Sequence, residues 1–285
     1  MQKIILLGHS GYETFNNLSN TAQEIAYDCN VEFIPRTKLK NNDLNDAKNT
    51  ILIRWGTTQD GEYDHVFGMT LNTSHAISLN TNKLKTLEIF KNNNVLCPAF
   101  FKNKQDITCF PVLGRDNHHH GGKDVVIING SNLSPIWKNN NINNIPNKNF
   151  YTQFIKSSKE YRVHVFNGNI IRTTQKVFRG TTREGKIVDK PGIIRNDTYG
   201  WGHKNVQYIE TAAQQVSINA VKSLGLNFGA VDLIYGTDNR YYVLEVNTAP
   251  HLNDVGLDIY LEQILSLKLK SKIIGDIKKK LNFWS

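Results

Sequence analysis

The stretch Phe228–Asn253, FGAVDLIYGTDNRYYVLEVNTAPHLN, decides how this chain is read. Its two β-rich runs flank Asp238-Asn239, a pair that favours a tight hairpin turn. With a two-residue turn, Thr237 pairs with Arg240. Counting back then places Asp232 opposite Glu245, and alternation puts Asn247 on the same face. Opposed side chains in such a pair have Cβ atoms about 4.5–5.5 Å apart, and opposed like charges are destabilising. Both carboxylates sit in apolar runs, AVDLI and VLEVN, so a positive charge is expected between them. Mg2+ suits that place, because it takes hard oxygen ligands and commonly one or two protein carboxylates, leaving positions for water and phosphate. A half-exposed hairpin whose polar face meets water satisfies the same pattern. A calcium loop fits less well, since the usual dense acidic spacing is missing.

Outward from this hairpin, the composition is that of a folded chain: 285 residues, 39% hydrophobic and 10% aromatic. There is no run of about 18 apolar residues, which argues against a membrane span. The N-terminus MQKIILLGHSGYE lacks a small-residue cleavage site and reads as a first strand. Cys29, Cys97 and Cys109 are odd in number and unpatterned, which points to a reducing cytoplasm and away from disulfides or structural zinc. Lys and Arg total 34 against 25 acids, a net charge of +9. That excess favours acidic partners such as nucleotide phosphates, acidic peptides or nucleic acid. Part of it lies in the tail KLKSKIIGDIKKKLNFWS, where Leu269, Ile273, Ile274, Ile277 and Leu281 recur at helical spacing. The tail lysines therefore read as the solvated face of a closing helix, with a membrane or nucleic-acid patch as the alternative.

The opening third alternates strand and helix signals: KIILLG, VEFIP and TILIRW as strands, LSNTAQEIAYD as a helix. NTNKLKTLEIFKNN follows as a capped helix with Leu84, Leu87 and Phe90 on one stripe. FPVLGRD and KDVVIIN are strand-like. Asn167-Gly168, between two β-rich runs, marks a second hairpin. Residues from Thr181 to Lys204 read as a long functional loop. YIETAAQQVSINAVKSLG is an amphipathic helix ended by Gly225.

At this point the residues match a known pattern. GAVDLIY…YYVLEVNTAP resembles the metal-binding signature of the ATP-grasp superfamily. NKLKTLEIFKNNNVLCPAF, YTQFIKSSKEYRVHVFNGNII and IIRNDTYGWGH support the match in the family's order over roughly residues 76–255. The pattern is most similar to ribosomal-protein glutamate ligases and related peptide ligases, and more distantly to glutathione synthetases and D-alanine–D-alanine ligases. The resemblance implies an α/β chain with α+β lobes. An N-terminal α/β domain (1–75) would precede a small lobe (76–150) and a large lobe (151–285), the two lobes enclosing ATP.

The activity implied is ATP-dependent ligation, in which a carboxylate is phosphorylated and an amine attacks the acyl phosphate, releasing ADP and phosphate. Asp232, Glu245 and Asn247 are implied to hold Mg2+, or Mn2+ in its place, on the ATP phosphates. Lys83 matches a nucleotide-contacting lysine, and Gln153, Phe154 and Ile155 the hinge that meets adenine. Glu160 joins the nucleotide set. Arg162 and Lys176 match cations near the phosphates, and Arg195 the arginine that supports the transferring phosphoryl group. By type alone, Arg162 is equally an ordinary strand cation, Lys83 a solvated helix-start lysine and Arg195 an exposed loop residue. Trp201 reads as a loop anchor. Asp197 and His203 fit either substrate contact or capping of the loop backbone.

The chain departs from the family in carrying Arg115 where a lysine is usual. It also carries Gln153 where many relatives have an acid, and its N-terminal third matches only in general α/β character. GRDNHHHGGKDVV (114–126) falls where the family has a phosphate loop. Gly121 and Gly122 would let backbone N–H groups approach phosphate, with Arg115 and Lys123 supplying charge. Adjacent histidines in extended chain point to opposite faces, so His118, His119 and His120 do not readily share one metal; they read as lid residues.

The expected partners are ATP, a carboxylate substrate, and an amine substrate that is an amino acid, peptide or protein. Self-association stays open. The competing class is a nucleotide- or nucleic-acid-binding protein that has lost catalysis. A complete Asp232–Glu245–Asn247 set argues against that class, and basic charge without a nucleic-acid motif supports it weakly.

Overall fold

Strand β1 (Gln2–Leu7) has Ile4 to Leu7 all buried. A run with both alternating faces apolar belongs inside a parallel sheet covered on two sides. That is its place: β2 (Val31–Arg36), β1, β3 (Thr50–Arg54) and β4 (Met69–Leu71) lie in this order, all parallel. Helix α1 (Glu13–Ala26) connects β1 to β2, and the short α2 (Asn41–Asn45) precedes β3. The computed structural model describes residues 1–117, 125–129, 145–182, 184–191 and 195–267. The histidine loop, most of the asparagine-rich connection and the lysine-rich tail lie outside the described residues.

The capped helix expected within 80–93 is present as one helix, and a second, unread helix precedes it. Helix α3 (Ser74–Thr81) ends where Asn82 turns extended, and α4 (Lys83–Asn92) begins there with Asn82 Oδ1 accepting from the Lys85 N–H at 3.0 Å. An N-cap oxygen satisfies a donor that the first turn cannot, so the asparagine that interrupts one helix starts the next.

Two antiparallel sheets follow. The smaller has the order β5 (Phe100–Phe101), β8 (Phe150–Gln153), β6 (Val112–Arg115), β7 (Val126–Ile128). The larger has the order β11 (Trp201–Asn205), β10 (Asn169–Phe178), β9 (Ser157–Phe166), β12 (Phe228–Gly236), β13 (Tyr241–Asn247). Asn167 and Gly168, with φ of 45° and 78°, form the β9–β10 turn as the sequence indicates. Strand β11 corrects the long-loop expectation, since the last part of that loop pairs with β10 from Phe178↔Trp201 to Thr174↔Asn205. Helix α5 (Thr211–Ser223) ends at Gly225, whose φ of 70° glycine adopts without a Cβ penalty. Helix α6 (Asp254–Ser266), unread in the sequence, closes the described part.

One face of the large sheet packs on α3, α4 and α5 through Val163, Val165, Val231, Ile77, Phe90 and Ala220. The other packs on α6 and the parallel sheet. There Trp55 stacks on Phe228 at 5.5 Å, Phe228 on Phe166 at 5.6 Å, and Tyr260 meets Trp55 edge-on at 5.4 Å. A polar latch joins the same two sheets. Buried Asn72, in the left-handed region at φ 55°, accepts on Oδ1 from the Asn227 and Phe228 amides and donates to the Phe228 carbonyl. Asn227 Oδ1 in turn accepts from the Asn72 amide at 2.9 Å. Asn72→Ala strands two buried donors and is expected to lower unfolding free energy by about 2–3 kcal/mol in a urea titration.

Candidate active site

The hairpin that opened the sequence reading delivers the expected facing carboxylates by a different route. The turn has three residues, not two: Tyr235 pairs with Tyr241, Gly236 N–H donates to the Arg240 carbonyl at 2.9 Å, and Asn239 is left-handed at φ 60°. That alone would place Leu244 opposite Asp232. A β-bulge between Leu233↔Val243 and Asp232↔Glu245 inserts Leu244 as an extra residue and shifts the register back. The two offsets cancel, so Asp232 faces Glu245 and Ala230 faces Asn247. The bulge also lets both Leu244 and Glu245 line one cavity.

That cavity, of about 650 Å³, lies between the small sheet and the large sheet. Every described residue that the resemblance assigned to the nucleotide, metal and phosphate set lines it: Lys83, Arg115, Gln153, Phe154, Ile155, Glu160, Arg162, Lys176, Arg195, Asp232, Glu245 and Asn247; Asp197 and His203 line a neighbouring cavity instead. Gly121, Gly122 and Lys123 lie outside the described residues. One part of the wall is apolar, with Leu113, Val125, Ile127, Phe154, Ile155 and Ile234. The rest is charged, because β9, β10, β12 and β13 run side by side with alternate residues on the cavity face. In the hinge, the Gln153 and Phe154 amides donate to the Ala99 and Pro111 carbonyls at 2.7 and 2.9 Å. Those two donors are thus engaged within the protein.

The positive charge expected between the carboxylates is supplied by side chains. Arg162, opposite Asp232 in the β9–β12 register, donates from Nε to Oδ1 at 2.7 Å and from Nη2 to Oδ2 at 2.9 Å. Lys83, at the start of α4, donates to Glu245 Oε2 at 2.7 Å across 162 residues of chain. Burial pushes the Asp232 carboxyl up. Arg162 first and Lys176 next outweigh that and hold it below the usual carboxylate range. Glu245 is likewise pushed up by burial but held low overall, chiefly by Lys83. Glu160, bonded to Lys176 and 3.7 Å from Arg195 Nη1, goes the other way: its burial outweighs those cations and its pKa is raised.

Arg115 is the informative departure. Its Nε is buried without a hydrogen-bond partner among the described residues, and burial lowers its pKa, opposed by the Glu245 charge. A buried guanidinium with an unmet donor on a cavity wall suits an incoming anion. The oxygen donors of Asp232, Glu245 and Asn247 are of the hard kind Mg2+ takes. They are too few to enclose a metal alone, and among the described residues no group of three His, Cys, Asp or Glu forms a metal site. The set therefore fits a cation that brings phosphate oxygens with it.

Trp201 has a role the sequence did not separate from loop anchoring. It packs edge-on against Phe178 at 5.6 Å, and the Arg195 guanidinium lies over its ring at 5.0 Å. With the Ser157 carbonyl accepting from Nη2 at 3.2 Å, this fixes Arg195 over the cavity. No spacing rule points to such a contact. Asn196 caps the turn beside it, with Oδ1 accepting from the Tyr199 N–H at 3.2 Å.

The chain matches a protein called "Probable alpha-L-glutamate ligase" from Shewanella halifaxensis at 23% identity, over 75% of this chain and 45% of that protein. A protein of the same name from Coxiella burnetii is 29% identical over 42% of this chain and 34% of its own length. The chain thus spans less than half the length of these curated relatives. In fold it is similar to D-alanine–D-alanine ligase from Bacillus anthracis, with a TM-score of 0.63 at 15% identity and 100% coverage of both chains. Among the described residues no helix is long and apolar enough to cross a membrane. The model of the RimK-like ATP-grasp domain matches residues 106–267, more than half of the chain, and the chain belongs to that family.

Proposed function

We propose that this chain is an ATP- and Mg2+-dependent carboxylate–amine ligase that forms an amide or peptide bond through an acyl phosphate. The observation that carries this reading is the convergence of Lys83, Arg115, Arg162, Lys176 and Arg195 with Asp232, Glu245 and Asn247 in one cavity that is also lined by the apolar Leu113, Val125, Ile127, Phe154, Ile155 and Ile234. An apolar slot continuous with a cationic, oxygen-rich wall suits a purine joined to a polyphosphate.

In the first step a substrate carboxylate oxygen attacks the terminal phosphorus of ATP, and the bond from that phosphorus to the bridging oxygen breaks, releasing ADP. The amine nitrogen then attacks the acyl carbon, the carbon–oxygen bond breaks, and phosphate leaves as the nitrogen loses a proton. Charge spreads over the transferring group in the first step and gathers on an oxyanion in the second, so fixed cations are the main need. Arg195, held by Trp201, Ser157 and Glu160, is the preorganised donor for that charge. Arg115 and Lys83 hold the phosphates. Asp232, Glu245 and Asn247 would hold Mg2+, which supplies charge neutralisation on the phosphates.

The test is ADP release from MgATP across a panel of carboxylates paired with amines. Release is expected only when both substrates are present, and chelation with EDTA is expected to abolish it. ATP turnover indifferent to both substrates, or binding of ATP with no turnover for any pair, contradicts the proposal.

A further inference from the structure

In the second step of the ligation the attacking nitrogen loses a proton, and some group must take it. The carboxylates of the first cavity are each bound by a cation: Glu245 by Lys83, Asp232 by Arg162 and Glu160 by Lys176. Asp232 and Glu160 are buried as well. Their oxygens are engaged before an amine arrives.

A second cavity, of about 600 Å³, opens from the first across Arg162, Lys176, Arg195 and Trp201, which line both. His203 stands on its wall, opposite Lys176 in the β10–β11 register. Opposed side chains in such a pair have Cβ atoms about 4.5–5.5 Å apart. Trp201, which carries the Arg195 guanidinium over its ring, is two residues earlier on the same face of β11. The imidazole therefore borders the cations assigned to the transferring group. Its Nδ1 lies 2.9 Å from the Thr174 hydroxyl. With Nδ1–H donating to that oxygen, Nε2 keeps its lone pair. The other two histidines of this wall are placed differently. His164 is 2% exposed, too deep to meet an amine, with its Nδ1 on the Tyr260 hydroxyl at 3.2 Å. His251 is turned to Thr14 of α1, 3.4 Å from its hydroxyl.

The wall around His203 carries Arg162, Arg172, Lys176, Arg179 and Arg195 against Asp197, with Asp232 bound to Arg162. Partial desolvation first, then the Arg162 and Lys176 charges, lower the imidazole pKa to about 4. The ring is thus uncharged near neutral pH. The same cations disfavour an ammonium, so an amine is held in its nucleophilic form. Negative charge that arrives with ATP and the acyl phosphate offsets those cations and raises the basicity of the ring.

Resting on the ligase reading above, we propose that His203 is the general base of the amine step, with Thr174 fixing its tautomer. As the nitrogen bonds to the acyl carbon, its proton passes to Nε2 and the ring becomes imidazolium. The carbon–oxygen bond then breaks, and the imidazolium gives that proton to the departing phosphate. The products are amide and hydrogen phosphate, and the base is restored.

The kinetic test pairs two amines with the carboxylate that supports ADP release in the panel. One is the amine of that pair; the other is hydroxylamine, which is largely unprotonated at neutral pH and attacks acyl phosphates without a base. His203→Gln is expected to lower amide formation by about 10²-fold while hydroxamate formation stays within about threefold. Imidazole added to His203→Ala is expected to restore part of the amide rate. Thr174→Val is expected to lose part of it, with hydroxamate formation kept. Equal loss with both amines, or an unchanged amide rate in His203→Gln, overturns the inference. A readout without turnover is the 15N NMR spectrum of the whole chain, with the His203 ring identified by its loss in His203→Gln. A neutral ring with its proton on Nδ1 is expected at neutral pH. A proton on Nε2 instead, or an imidazolium, overturns the inference. Absence of ADP release from every pair counts against the ligase reading and leaves the NMR result readable.

Discussion

Glu245→Gln is expected to lower substrate-dependent ADP release by at least about 10²–10³-fold, the loss that follows removal of one well-placed stabilising group. The fold is expected to survive, because the Glu245 side chain is 36% exposed and its partner Lys83 also meets solvent. Such a pair contributes roughly 0–1 kcal/mol to stability. Asp232→Asn is expected to match that rate loss and also to destabilise. Asp232 is buried, and its change strands the Arg162 guanidinium it binds through two hydrogen bonds. Breaking a buried ion pair from one side costs about 3–5 kcal/mol. Steady-state ADP release and urea titration of the two variants together check this. Normal turnover in either variant would remove the metal-and-phosphate role from the hairpin.

The second large effect lies in the parallel sheet. Arg54 is fully buried at the end of β3, where Nε donates to Asp64 Oδ1 at 2.5 Å. Nη1 donates to the Gln59 carbonyl at 2.5 Å and Nη2 to the Asp60 carbonyl at 2.9 Å. One guanidinium therefore holds the loop that follows Trp55 and Gly56. Asp64 passes the constraint on, since its Oδ2 accepts from the Ser74 amide at 2.6 Å at the start of α3. Arg54→Met keeps much of the volume but leaves Asp64 and two carbonyls without their donor. The expected loss is about 3–5 kcal/mol of unfolding free energy, read as a lower urea midpoint with the slope unchanged. A loss under about 1 kcal/mol would mean that water reaches those carbonyls in the folded state.

What the sequence disclosed follows from how far each signal reaches. Local chemistry was legible: Asn167-Gly168 as a turn, Gly225 as a helix end, apolar β1 as a strand. The Asp232–Glu245 pairing was legible only in its result. A three-residue turn and a bulge at Leu244 shift the register by one residue each in opposite senses, and neither leaves a mark in the alternation. Helix α6 was legible and went unread: Leu257, Tyr260, Leu261, Ile264 and Leu265 recur at the i, i+3, i+4, i+7, i+8 spacing of a helix with one apolar face. Strand β11 is short and polar, and it is defined by its partner β10. In the site, residue types and order pointed to the cavity wall, but the pairs that set its electrostatics join distant segments. Lys83–Glu245 and Arg162–Asp232 are separated by 162 and 70 residues, and no spacing rule spans that distance. Trp201 under Arg195 is likewise a contact of the folded chain alone.

The most direct measurement labels both oxygens of the substrate carboxylate with 18O and examines the phosphate released with ADP. Attack of that carboxylate on the terminal phosphorus, followed by amine attack on the acyl carbon, leaves one substrate oxygen in the phosphate. The expected result is one 18O per phosphate, formed one-for-one with amide and ADP. Unlabelled phosphate, or AMP and pyrophosphate in place of ADP, would contradict ligation through an acyl phosphate at this site.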